Sequence, residues 1–144
     1  MTTLYTSFER LLARIPEALI LLFVRVVAAQ PFWASGRSKM EGWFEMRPIV
    51  VDLFRDEYGM PWPEIAAPFA AAAEHVLPIL LVLGLFTRFA ALGLLVMTAV
   101  IQIFVYPEAW WTVHSLWAGL LLVLLVHGGG AIALDHRLFG EARR

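Results

Sequence analysis

EIAAPFAAAAEHVLPILLVLGLFTR, residues 64–88, is the stretch whose reading decides the fold. From Glu64 to Phe86 it is apolar apart from Glu74 and His75 near its middle. At about 1.5 Å per residue, such a helix is long enough to cross a hydrocarbon core of roughly 30 Å. Pro68 and Pro78 each remove a backbone hydrogen bond, and membrane helices tolerate this when neighbours compensate. Ala66, Ala67 and Ala70 to Ala73 predict a small-residue surface for close helix approach. Gly84-Leu85-Phe86-Thr87-Arg88 predicts a tight turn into a second apolar run that ends at Pro107. An acid inside such a hairpin is expensive and calls for a partner.

Composition agrees with a membrane protein. Of 144 residues, 60% are hydrophobic and 16% charged, more apolar surface than a soluble domain of this size can hide. The absence of cysteine excludes a disulfide framework, a dithiol relay and thiolate metal ligands. No basic stripe lies outside the flanks of the apolar runs, so nucleic acid is not an expected partner.

Outward from the hairpin, the spacing predicts an all-α, four-helix transmembrane bundle with short interfacial helices, one domain over residues 1–144. The spans are expected at about 16–34, 64–86, 88–106 and 110–134. Residues 3–15 predict an amphipathic interfacial helix with Leu4, Phe8, Leu11, Leu12 and Ile15 near one face. Thr6-Ser7-Phe8-Glu9 has the spacing of a capping box. Pro16 suits the first turn of span 1, and Gly36, Arg37 and Lys39 are expected to end it. Arg10, Arg14 and the following apolar run have some features of a signal peptide, but Arg25 interrupts the pattern, and a retained span is the reading adopted. Pro48–Tyr58 predicts a second short helix closed by Gly59. Gly128-Gly129-Gly130 lacks the lysine of a phosphate loop and is read as a helix end.

Four spans put both termini on one side. Arg10, Arg14, Arg88, Arg137, Arg143 and Arg144 fall there. Arg37, Lys39, Arg47 and Arg55 fall opposite, among many acids. This bias predicts N-in, C-in, with Trp33, Trp43, Trp62, Trp110 and Trp111 at the outer interface.

Two polar constellations follow. Counting from the span ends puts Arg25 and Glu74 at similar depth on antiparallel neighbours, so a buried ion pair is expected. It serves either as a structural lock or as a proton-handling carboxylate with its arginine. Gln30, Gln102 and His114 lie nearer the outer side, with Trp33, Trp111 and Trp117 at similar depth. Hydrogen-bonding groups with aromatic walls suit a quinone head or another polar-headed lipid. The rival reading is interhelical hydrogen bonding plus an aromatic belt. No metal site is expected: His75 points about 100° away from Glu74, and His114 and His127 are roughly 20 Å apart on one helix.

Several stretches resemble the DoxX family of small four-span membrane proteins, in particular its bacterial inner-membrane branch. They are Arg25 with Gly36-Arg37-Ser38-Lys39, Leu53-Phe54 with Glu57-Tyr58, and Ala71-Ala72-Ala73-Glu74 leading into the Gly84–Arg88 turn. Ile101 to Pro107, His114 with Trp117, and the triple glycine with Leu134-Asp135 complete the set. They run through nearly the whole chain, and the acid followed by Gly-Leu-x-Thr-Arg is the most specific. The resemblance implies a four-helix bundle in the bacterial cytoplasmic membrane. It also implies association with membrane redox assemblies or with oxidative and metal stress, the family name coming from a subunit associated with a thiosulfate:quinone oxidoreductase. The expected function is therefore a membrane component of a redox or stress-related assembly that binds a quinone-like lipid, alongside a protein partner or in a homo-oligomer. The alternatives are a structural or partner-binding subunit without chemistry, and a protein related to small-solute or metal transport.

Overall fold

The computed structural model describes residues 2–140, with side chains from Tyr5 onward. Helix α1 (Thr2–Leu12) leads through Pro16 into α2 (Glu17–Ser38). A two-stranded antiparallel hairpin follows, β1 (Met40–Glu41) and β2 (Glu45–Met46), with Met40 opposite Met46. Helix α3 (Ile49–Asp52) widens into a π turn over Leu53–Glu57. Helix α4 (Pro63–Leu83) turns at Gly84 into α5 (Thr87–Val100), which ends in a second π turn, Ile101–Val105. A short 3-10 turn (Pro107–Ala109) and a third π turn (Trp110–His114) start α6 (Ser115–His127), and α7 (Leu134–Phe139) closes the described chain.

Four segments are long and apolar enough to cross a membrane: Glu17–Ser38, Pro63–Leu83, Thr87–Val105 and Pro107–His127. Large apolar side chains on their outer faces, Phe23, Phe69, Phe89, Leu116 and Val126 among them, find no cover within the fold. In a bilayer they meet lipid tails, so the protein is a multi-pass membrane protein.

Small residues set the packing. Ala28 and Ala29 of α2 and Ala90 and Ala91 of α5 are buried with Leu21, Phe32, Leu81, Leu94, Leu121 and Leu124 in one core. Removing bulk at those crossings lets backbones approach closely, which lipid-embedded helices need in place of a hydrophobic driving force. The expected alanine surface of α4 is used: Ala67 and Ala71 are buried. Ala67 packs against Val50 and Phe54, which holds α3 over the loop-side end of the bundle.

Several local expectations change. Helix α2 does not stop at Gly36 but continues to Ser38, because Gly36 is buried against α4. A Cβ there would lie 2.9 Å from the His75 ring and 3.0 Å from Glu74 Cβ, so the missing side chain permits contact rather than ending the helix. The fourth span ends at His127 instead of reaching 134, since the backbone turns away at Gly128, φ +76°. Helix α1 runs over Thr2–Leu12, so Thr6 to Glu9 lie inside it rather than at its start. Leu4's side chain, Arg143 and Arg144 lie outside the described residues.

Candidate functional site

Arg25 and Glu74 are both buried, 1% and 3% exposed, but they do not pair with each other. Arg25 Nη1 donates to the Val82 carbonyl at 3.0 Å, near the C-terminal end of α4. That end carries unpaired carbonyls and the negative pole of the helix dipole, a fitting neighbour for a guanidinium. The space for it comes from Gly84: a Cβ there would lie 2.1 Å from Arg25 Nη1. Asp135 stands nearby but spends its carboxylate elsewhere, accepting from Phe86 N at 2.7 Å and Thr87 N at 2.8 Å. Its own N–H donates to the Gly84 carbonyl. Arg25 and Leu134-Asp135 thus fasten the Gly84–Arg88 turn, and Arg88 adds a bond to the Val126 carbonyl.

The expected Arg25–Glu74 pair fails for two physical reasons. Helices α2 and α4 are staggered: Gly36, not Arg25, lies beside Glu74, eleven positions or about 16 Å further along α2. Side chains also tilt toward the N-terminus of their helix, so on antiparallel helices these two lean apart.

Glu74 pairs instead with Lys39. Lys39 Nζ lies 2.7 Å from Oε2 and 3.0 Å from Oε1. Ser35 joins them: its hydroxyl donates to Glu74 Oε1 at 3.0 Å and accepts from Lys39 Nζ at 2.9 Å. The Lys39 side chain is 12% exposed, so this is a largely buried pair. Lys39 reaches it by folding its alkyl stem back from the end of α2, the reverse of snorkelling to water, because Glu74 takes the place of solvent as the partner of its ammonium. Its spacing of four from Ser35 was the sequence signal for that contact.

Glu74, Ser35 and Lys39 form one wall of a cavity of about 190 Å³. His114 and Trp117 of the last span form another, with their rings 5.2 Å apart. Phe54, Tyr58 and Met60 cover it from the α3 segment, and Met97, Ile101 and Tyr106 bound it from α5. The three π turns contribute Phe54, Ile101 and His114 respectively, in keeping with the frequent placement of such turns at functional sites. Tyr58 and Tyr106 meet edge to face at 6.4 Å. Burial first, and then the adjoining Tyr106 hydroxyl, raises the Tyr58 phenol above its ordinary 10.0.

The second expected constellation therefore divides. His114 and Trp117 line the cavity. Gln102 stands behind His114, its Oε1 2.7 Å from Nδ1, while its Nε2 donates to the Pro107 carbonyl. Gln30 is exposed on the outer face of α2. Trp33 packs edge-on to His75 at 5.2 Å, on the α2–α4 seam, and is not among the cavity walls. His75 Nδ1 bonds the Ala71 carbonyl, apart from Glu74's partners. Lys39, Ser35, Tyr58 and Tyr106 are the cavity residues that sequence reasoning missed. Among the described residues, no three His, Asp or Glu side chains converge as metal ligands.

Comparison with known proteins places residues 20–107 in a match to the DoxX family. That stretch holds Ser35, Lys39, Tyr58, Glu74, Gln102 and Tyr106, while His114 and Trp117 lie beyond it. An uncharacterized protein of Haemophilus influenzae is 28% identical over 132 residues, covering 80% of each chain. No solved structure matches.

Proposed function

This chain belongs to the DoxX family, and we propose that it is a membrane component of a redox or stress-related assembly whose cavity binds a lipid-soluble ring compound of the quinone class. The observation that carries this reading is the cavity itself. Buried Lys39–Glu74 and His114 stand across an otherwise mostly apolar space inside the bundle. Such sites combine an apolar wall with a few placed polar groups that fix orientation. The volume of about 190 Å³ suits one substituted ring; an engineered apolar cavity of about 150 Å³ elsewhere holds benzene.

The chain resides in a bacterial cytoplasmic membrane with both termini inside, by the distribution of lysines and arginines. On the loop side Lys39 is paired with Glu74, and Arg55 with Asp52 and Glu64. Arg37 and Arg47 complete the loop-side cations, four against the six of the terminal side, and it is this excess of Lys and Arg that favours the terminal face as the inside one. The cavity then opens in the outer half of the bilayer.

The test is equilibrium binding to the purified protein in lipid nanodiscs. An alkylated benzoquinone/hydroquinone couple is titrated while tryptophan quenching is followed. Saturable binding is expected, weakened about tenfold by His114→Ala, the equivalent of one good hydrogen bond. Absence of saturable binding to either member of the couple refutes the proposal.

A further inference from the structure

The hydrogen-bond directions around the cavity go further than its shape. They rest on the ring-binding reading above and specify which form of the ring is held. Gln102 Nε2 faces the Pro107 carbonyl at 2.6 Å, and a carbonyl only accepts. That contact orients the amide, so Oε1 is the atom facing His114 Nδ1 at 2.7 Å. Oε1 also only accepts, so Nδ1 carries the hydrogen. In the neutral ring the other nitrogen, Nε2, is then a bare acceptor. No described residue hydrogen-bonds to it, and His114 lines the cavity.

On the opposite wall the donors are already engaged. Lys39 has three ammonium hydrogens and three close partners, Ser35 Oγ at 2.9 Å, Glu74 Oε1 at 3.0 Å and Glu74 Oε2 at 2.7 Å. The Ser35 hydroxyl donates to Glu74 Oε1. A carboxylate has about four lone-pair positions, and Oε2 accepts one bond here, so Glu74 keeps acceptor capacity and offers no donor. The remaining hydroxyls are those of Tyr58 and Tyr106, which bond to each other and so leave a single free hydrogen between them.

From this we infer that the cavity is a double-acceptor site, selecting a ring that brings hydroxyl hydrogens over one that brings only carbonyls. Glu74 and His114 are its specificity-determining acceptors, and Gln102 is the positioning residue that fixes the His114 tautomer. A hydroquinone or related phenol donates to Glu74 and to His114 Nε2, and its oxygens still accept from a tyrosine. A benzoquinone of the same outline can accept only the one tyrosine hydrogen that the Tyr58–Tyr106 contact leaves free. It leaves both acceptors desolvated without partners, and an unmade buried hydrogen bond discriminates more strongly than a lost contact.

The deciding experiment is anaerobic binding of three matched ligands to the full chain in nanodiscs: an alkylated hydroquinone, its benzoquinone and its dimethyl ether. The hydroquinone is expected to bind at least about tenfold more tightly than either of the others. With Gln102→Leu, His114 is free to change tautomer and turn, and the preference over the quinone should shrink while quinone affinity is kept. A quinone or dimethyl ether that binds as tightly as the hydroquinone overturns the inference and leaves the ring site standing. If none of the three binds, the ring site falls and this inference with it. Should Gln102→Leu fail to fold, the three-ligand comparison on the unsubstituted protein still decides.

Discussion

Gly84→Ala tests how Arg25 is held in the bundle. Gly84 sits at φ +69°, and a Cβ there meets Arg25 Nη1 at 2.1 Å, Ala133 Cβ at 2.5 Å and Ala133 Cα at 2.8 Å. The left-handed backbone alone costs an alanine about 1–2 kcal/mol. Neither Ala133 contact can yield by a rotamer change, so Arg25 and the 133–135 segment must move. Loss of the guanidinium bond to Val82 O adds about 1.5–3 kcal/mol, the range for a charged donor. The sum is about 2.5–5 kcal/mol. Gly42→Ala is the matched control: its φ is +68°, but nothing lies within 4 Å of the added Cβ. It should cost only the backbone contribution, about 1–2 kcal/mol. Reversible unfolding in mixed micelles, followed by helical circular dichroism, measures both. Equal destabilisation by the two substitutions would refute the reasoning that Gly84 exists to admit Arg25.

Two further outcomes are expected. Lys39→Met leaves Glu74 buried without its cation and should cost about 3–5 kcal/mol, while Lys39→Met with Glu74→Leu should recover most of that in the same unfolding assay; failure of the double substitution to recover stability would show that the pair does not act as a unit. Because the Tyr58 phenol is held above 10.0 in the folded protein, the unfolded chain ionises first, so stability is present below the unfolded value and declines as pH rises past it. Unfolding measured from about pH 9 to about pH 11 should show this decline, and Tyr58→Phe should make it shallower; an identical slope in the two proteins would argue against burial of that hydroxyl.

The fold was legible because hydropathy and length act locally. A 21-residue apolar run such as Pro63–Leu83 must satisfy its own backbone bonds in lipid, whatever surrounds it. The candidate site was legible only in pieces. Glu74, His114 and Trp117 stood out as polar or amphipathic groups in apolar runs, and all three reach the cavity. Lys39 and Tyr58 did not stand out, because a lysine at a span end and a tyrosine in a polar loop are ordinary there. Gln30 and Trp33 were drawn in by depth alone, and helix rotation sends one to lipid and the other to the α2–α4 seam.

By itself, then, the sequence determined that the chain crosses a membrane four times, where it turns, and that an acid lies inside its second span. Only the tertiary structure decided what that acid meets. The stagger of α2 against α4 depends on Gly36 admitting Glu74 and His75, and on Gly84 admitting Arg25. Hydropathy constrains each helix against the bilayer but is nearly silent about sliding one helix along another. A slide of a few turns exchanges Arg25 for Lys39 as the partner of Glu74. That same stagger brings the pair into a shared cavity with His114.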